Sequence, residues 1–101
     1  LSMKSVTLLL SEKDITRQIR DYLKALGIFH WKNHQGLGSA PGVSDILGIY
    51  KGKPLAIEVK APKGKLTEKQ KIFLDNWSRE GGLAIVAWSI DDVIKGLEDR
   101  S

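Results

Sequence analysis

Residues 42–60, GVSDILGIYKGKPLAIEVK, set charged groups inside segments that otherwise read as buried strand, and they constrain this chain more than any other stretch. Residues 43–50 and 55–59 are rich in Ile, Val, Leu and Tyr, which suit a pleated, half-buried surface. Between them Lys51, Gly52, Lys53 and Pro54 make a short connection with the glycine that a tight turn needs, so the two segments form a hairpin. Side chains alternate along a strand, so Leu55, Ile57 and Val59 share one face while Ala56, Glu58 and Lys60 share the other. Folding the chain about a turn near Gly52 brings Asp45 opposite the region of Glu58 to Lys60. Asp45 falls on the face of Glu58 only if the turn holds an even number of residues or a bulge shifts the register.

Two carboxylates side by side on a sheet repel each other and lose hydration, an arrangement that calls for a cation or a shared proton. Hard oxygen ligands of this kind suit Mg²⁺, with Mn²⁺ as a substitute, rather than Zn²⁺. Lys60 adds a cation two residues along the same face, and the set fits phosphate chemistry. A solvated strand face also carries Glu and Lys, but Asp45 and the apolar flanks favour a site.

The rest of the chain supplies the surrounding elements. Ser11 with Asp14 three residues on has the form of a capping box, followed by Ile15, Ile19, Leu23 and Leu26 at helical spacing, with Tyr22 beside them and Gly27 as the stop. Residues 28–33 (IFHWKN) read as a strand, with Phe29 and Trp31 on one face and His30 and Lys32 on the other. Residues 34–42, with Gly36, Gly38, Pro41 and Gly42, must be a loop beside Asp45. His30 and His34 are suited to backbone or phosphate contacts rather than metal ligation. After Lys60 comes a basic loop bearing Lys63 and Lys65, both able to reach a phosphate backbone. Thr67 and Gln70 form a second capping box opening a helix with Ile72, Phe73 and Trp77 as its buried residues. Residues 83–88 (LAIVAW) read as a strand covered on both faces, and SIDD at 89–92 caps a last helix built on Val93, Ile94 and Leu97. The order αβββαβα predicts an α/β (α+β) fold in which helices flank a mixed central sheet, the last strand pairing beside the third.

At 101 residues the chain is expected to be one domain, residues 3–101, with Leu1 and Ser2 an expression remnant. The absence of cysteine excludes disulfides and thiolate zinc sites and fits a cytoplasmic location. No apolar run approaches the roughly 20 residues of a membrane span. A net charge of +4 favours a polyanionic partner.

The ordered set G-V-S-D, I-E-V-K and K-G-K-L-T-x-x-Q resembles the PD-(D/E)XK nuclease superfamily, most closely its VRR-Nuc family. Ser44 stands where the family usually has Pro, and we carry it with His34, Lys63 and Lys65 as a DNA-contacting position. The resemblance implies a restriction endonuclease-like core in which Asp45, Glu58 and the Val59 backbone carbonyl ligate Mg²⁺, joined by Glu12 from the first helix. It implies that Gln70 reaches the site, a role that competes with its role in the helix cap. It further implies a metal-dependent endonuclease, with Asp45, Glu58, Lys60 and Gln70 catalytic, acting on branched DNA such as Holliday junctions or flaps in a bacterial or phage-infected cell. A symmetric junction would suit a homodimer, with residues 6–10 as candidates for the interface. Two other readings share the residues: a restriction-type site-specific endonuclease, for which so short a chain leaves little material for reading bases, and a non-catalytic nucleic-acid-binding module.

Overall fold

A computed structural model of the chain describes residues 10–34 and 40–99. The expectations attached to Leu1, Ser2, residues 6–9, Gly36 and Gly38 lie outside the described residues.

The first helix, α1 (Glu12–Ala25), starts where its sequence says it should. The Asp14 N–H donates to Ser11 Oγ at 3.1 Å and the Ser11 N–H donates to Asp14 Oδ2 at 3.2 Å, closing the capping box. Ile15, Ile19 and Leu23 are buried along one face. Leu26, expected to continue that face, is instead the C-cap and 52% exposed, because the chain turns away through Gly27 at φ +71°.

Three antiparallel strands follow in part as expected. Strand β1 is only His30–Lys32, shorter than the predicted residues 28–33, and it pairs with β2 (Ile46–Tyr50). A Cβ on Gly48 would sit 2.5 Å from the Phe29 carbonyl oxygen, so glycine is what lets β1 close on β2. Strand β2 turns into β3 (Lys53–Val59) through Lys51 and Gly52 alone, with φ at 49° and 81°. Positive φ at both central residues is the mark of a two-residue hairpin turn whose twist matches the strands. Lys53 and Pro54 therefore belong to the strand rather than to the turn. An even-numbered turn also settles the register: Ile46 faces Ile57, and one further step sets Asp45 against Glu58.

Helix α2 (Glu68–Arg79) crosses to β4 (Leu83–Ala87), which pairs parallel with β3, and α3 (Ile90–Glu98) closes the chain. The sheet order is β1-β2-β3-β4, a mixed four-stranded sheet. Ile15, Ile19, Leu23, Val93 and Leu97 of α1 and α3 pack on Ile46, Leu55, Ile57, Val59, Leu83, Ile85 and Ala87, forming the core on one side of the sheet. Helix α2 covers the other side over β3 and β4.

Helix α2 differs from its expected packing. Leu74 is its buried residue, Phe73 and Trp77 are half-buried, and Ile72 is 57% exposed. Strand β4 is buried on one face only, with Ala84 and Val86 half-buried under α2. Ser89 makes no side-chain cap; Asp92 Oδ2 accepts from the Trp88 N–H at 2.8 Å instead. No described helix is long and apolar enough to cross a membrane.

Candidate active site

Glu58 lies near the C-terminal end of β3 on the face covered by α2, and only 2% of it is exposed. Asp45 sits on the step before β2, held by two contacts. Its backbone carbonyl accepts from the Asn33 N–H at 2.7 Å, and its carboxylate Oδ2 accepts from the Val59 N–H at 2.7 Å. The neighbouring Lys60 N–H turns the opposite way, to the Ala87 carbonyl of β4 at 2.9 Å. The N–H and C=O of one strand residue leave on the same side, so the Val59 carbonyl faces the Asp45 edge as well.

Gln70 completes the wall. Its Oε1 accepts from the Thr67 N–H at 2.9 Å while its Nε2 donates to Glu58 Oε2 at 3.2 Å. The cap and the site therefore do not compete: the two ends of one amide serve them separately, and the Thr67 donor fixes which end is oxygen. Gly42 brings the preceding loop onto the helix start. It has φ +83°, and a Cβ there would lie 2.5 Å from the Lys69 carbonyl oxygen. Asp45, Glu58, Gln70, Gly42 and the first turn of α2 enclose a cleft of about 530 Å³.

The electrostatics of the pair are unusual for two carboxylates on a sheet. Burial, then hydrogen bonding to Asp45 and repulsion by its charge, push the Glu58 carboxyl up to about 8 against the opposing field of Lys60. Glu12 adds the smallest upward push, which places its exposed carboxylate within the field of the site. Among the described residues Glu58 Oε1 is buried and accepts no hydrogen bond. An orphaned acidic oxygen beside a second carboxylate is what a hard divalent cation or a shared proton would satisfy, and the donor set of Asp45, Glu58 and the Val59 carbonyl fits Mg²⁺. Among the described residues no group of three or more His, Cys, Asp or Glu side chains gathers to hold a metal, so Glu12 does not form a tight cluster with the other two.

The positions expected to meet DNA are scattered. Lys63 and Lys65 are exposed on the loop after β3, which is pinned where the Trp88 indole donates to the Gly64 carbonyl at 2.8 Å. His34 is exposed at the end of the described segment after β1. Ser44 is wholly buried and its Oγ has no partner among the described residues, so it presents no hydroxyl to a ligand; it follows the tight loop at Gly42 and lies one residue from the anchored Asp45. His30 Nδ1 lies 2.9 Å from the Ile28 carbonyl, a backbone partner.

A mixed sheet with helices on both sides, carrying Asp45, Glu58 and Lys60 at the open end of a β2–β3 hairpin, defines a nuclease-like PD-(D/E)XK domain. A model of the VRR-NUC domain matches residues 3–90, and the chain belongs to that family. Two solved structures have the same fold. One, a VRR_NUC domain protein, is 23% identical with a TM-score of 0.73 over 88% of this chain and 86% of its own. The other, a VRR_NUC domain, is 22% identical with a TM-score of 0.74 over 91% of this chain and 100% of its own. No curated protein matches the chain.

Proposed function

We propose that this chain is a Mg²⁺-dependent DNA endonuclease, selective for branched DNA such as Holliday junctions or flaps and working as a homodimer. The observation that carries the reading is Glu58: a buried acid with one oxygen that accepts no hydrogen bond among the described residues, set against Asp45 on the wall of an open cleft. A purely structural strand face would not bury a carboxylate whose ionisation its own surroundings oppose.

Asp45, Glu58 and the Val59 carbonyl would hold the cation, and Mn²⁺ would replace it. When bound, the cation supplies an activated water and neutralises charge developing on the phosphate oxygens. The protein's own part is positional. The Val59 N–H fixes the Asp45 carboxylate and the Gln70 amide fixes one oxygen of Glu58, which leaves the other oxygen for the cation. Lys60 follows Glu58 by two residues on the same strand face, where its ammonium meets the scissile phosphate or the attacking water.

The test is cleavage of end-labelled four-way junction, flap and linear duplex DNA in Mg²⁺, Mn²⁺ and EDTA, beside Lys60→Ala. Metal-dependent cutting, ranked junction or flap above duplex and lost in Lys60→Ala with DNA binding retained, is the expected result. Equal cutting by Lys60→Ala would overturn the assigned site. Salt-sensitive binding with no cutting of any substrate would make the chain a nucleic-acid-binding module on a nuclease fold.

A further inference from the structure

The outward flank of α1 carries charge of a single sign. At about 100° per residue, Lys13, Arg17, Arg20 and Lys24 fall within an arc of about 60°. Its buried stripe of Ile15, Ile19 and Leu23 lies to one side, and Asp14 and Asp21 lie to the other. Lys32 of β1 joins them, and the five cations line one cleft of about 200 Å³ with Thr16 and Asp21. Of the five, Arg17 alone has a carboxylate within ion-pairing distance among the described residues, Asp14 at 3.6 Å, between exposed side chains. Arg20 Nε is buried and has no hydrogen-bond partner among the described residues.

An ordinary solvated helix face mixes its signs, as α2 does with Glu68, Lys69, Lys71, Asp75 and Arg79. Like charges three and four residues apart repel and destabilise an isolated helix. A polyanion laid along the flank would reverse that repulsion. The flank is also long: Lys24 lies three turns beyond Lys13, about 16 Å away at 1.5 Å per residue. That length matches several phosphates of one strand at about 3.4 Å of duplex axis each.

We propose that this flank of α1, with Lys32, is a track for the phosphate backbone of a nucleic-acid arm held outside the Asp45–Glu58 cleft. The proposal rests on the nuclease reading for its ligand and names the surface that holds the substrate outside the cleft. It is separate from the basic loop around Lys63 and Lys65, which follows β3.

The test is binding of a fluorescently labelled duplex by the full chain in EDTA, as anisotropy titrations across a range of NaCl concentrations. The variant Arg17→Gln/Arg20→Gln/Lys24→Gln is compared with Lys51→Gln/Lys53→Gln/Lys95→Gln, which removes the same charge from the hairpin turn, the start of β3 and α3. The slope of log affinity against log salt should fall by about 0.9 for each phosphate no longer neutralised, up to roughly 2.7 for the α1 triple, and stay near wild type in the other. A second pair, Lys13→Gln/Lys32→Gln, reaches the same cleft from two elements and should lower the slope without touching Arg20. Equal slopes for the two triples would overturn the track, since net charge alone would then account for binding. Cleavage by the wild-type chain in Mg²⁺ is scored separately: cutting with equal slopes removes the track and keeps the nuclease, while a reduced slope with no cutting keeps the track and removes the nuclease.

Discussion

At Glu58 folding and chemistry oppose each other. The strand that carries it must be buried to join β2 to β4, so a carboxylate comes with it into a site where charge is costly. An ordinary glutamate titrates near 4.5, whereas burial and Asp45 raise Glu58 to about 8. Between those values the folded chain keeps a proton that the unfolded chain has released. The stability contributed by the protonated acid is full below about 4.5 and is lost as pH rises to about 8, by at most about 1.4 kcal/mol per pH unit. In EDTA the urea midpoint of the wild type should therefore fall across this window while that of Glu58→Gln stays flat relative to it. Mg²⁺ should raise the wild-type midpoint most at the alkaline end, where ionisation of Glu58 no longer has to be forced, and leave Glu58→Gln unmoved. A wild-type profile parallel to the variant's would mean that Glu58 ionises freely and that nothing in the cleft demands a cation.

Among the elements, what could be read in the sequence is what short-range chemistry decides. The two capping boxes, Ser11 with Asp14 and Thr67 with Gln70, span three residues each and form as written. The hairpin was legible because Gly52 marks its turn, but Lys51 at φ 49° carries the second left-handed position without any sequence sign of it. Facing Asp45 with Glu58 depended on counting two turn residues rather than four, which the pattern K-G-K-P left open. Long-range packing was less visible. Ile72 and Leu74 are both apolar on α2, and only the position of the sheet decides that Leu74 is the buried one. Ser44 read as a surface polar residue because nothing local reveals that the loop at Gly42 folds it inward.

Gln70 shows the same division, since its cap was legible and its bond to Glu58 was known only through resemblance. The two roles can be separated. Gln70→Ala removes both side-chain bonds, while Thr67 Oγ still accepts from the backbone N–H, and should cost about 0.5–2 kcal/mol of stability in urea unfolding, the range for a capping side chain. Gln70→Glu keeps an acceptor for the Thr67 N–H but places a third carboxylate against Glu58. It should retain more of the cap than Gln70→Ala while cutting DNA no better. Equal loss of stability in the two would show that the bond to Glu58, not the cap, is what holds the start of α2.

On the scale of the whole molecule the sheet is covered unevenly. Helices α1 and α3 close one face, but α2 lies over β3 and β4, and among the described residues no helix covers the β1–β2 half of the other face. By the register of β1 with β2, Phe29 and Trp31 share that face with Leu47 and Ile49. The two aromatic rings lie 5.7 Å apart, and Phe29, Trp31 and Ile49 are 69%, 46% and 45% exposed. A patch of this kind next to a strand edge is what a second copy, related by a two-fold axis, can bury against itself. Of the expected interface residues 6–10, the described Leu10 packs on the core. Each large apolar side chain fully buried contributes about 1.5–3 kcal/mol, so these residues on both copies supply a substantial driving force before the entropy of association is subtracted. Sedimentation of the wild type should give about twice the 11.2 kDa of one copy, and Trp31→Glu, which sets a charge in the centre of the patch, should give one copy with its far-ultraviolet circular dichroism unchanged. Such a monomer should cut a flap as the dimer does yet lose paired incision of a four-way junction, because two symmetric cuts need two clefts held at a fixed separation. A wild type that sediments as one copy at micromolar concentration would remove the two-fold arrangement and with it the expectation of paired incision, leaving the cleft at Asp45 and Glu58 to act alone.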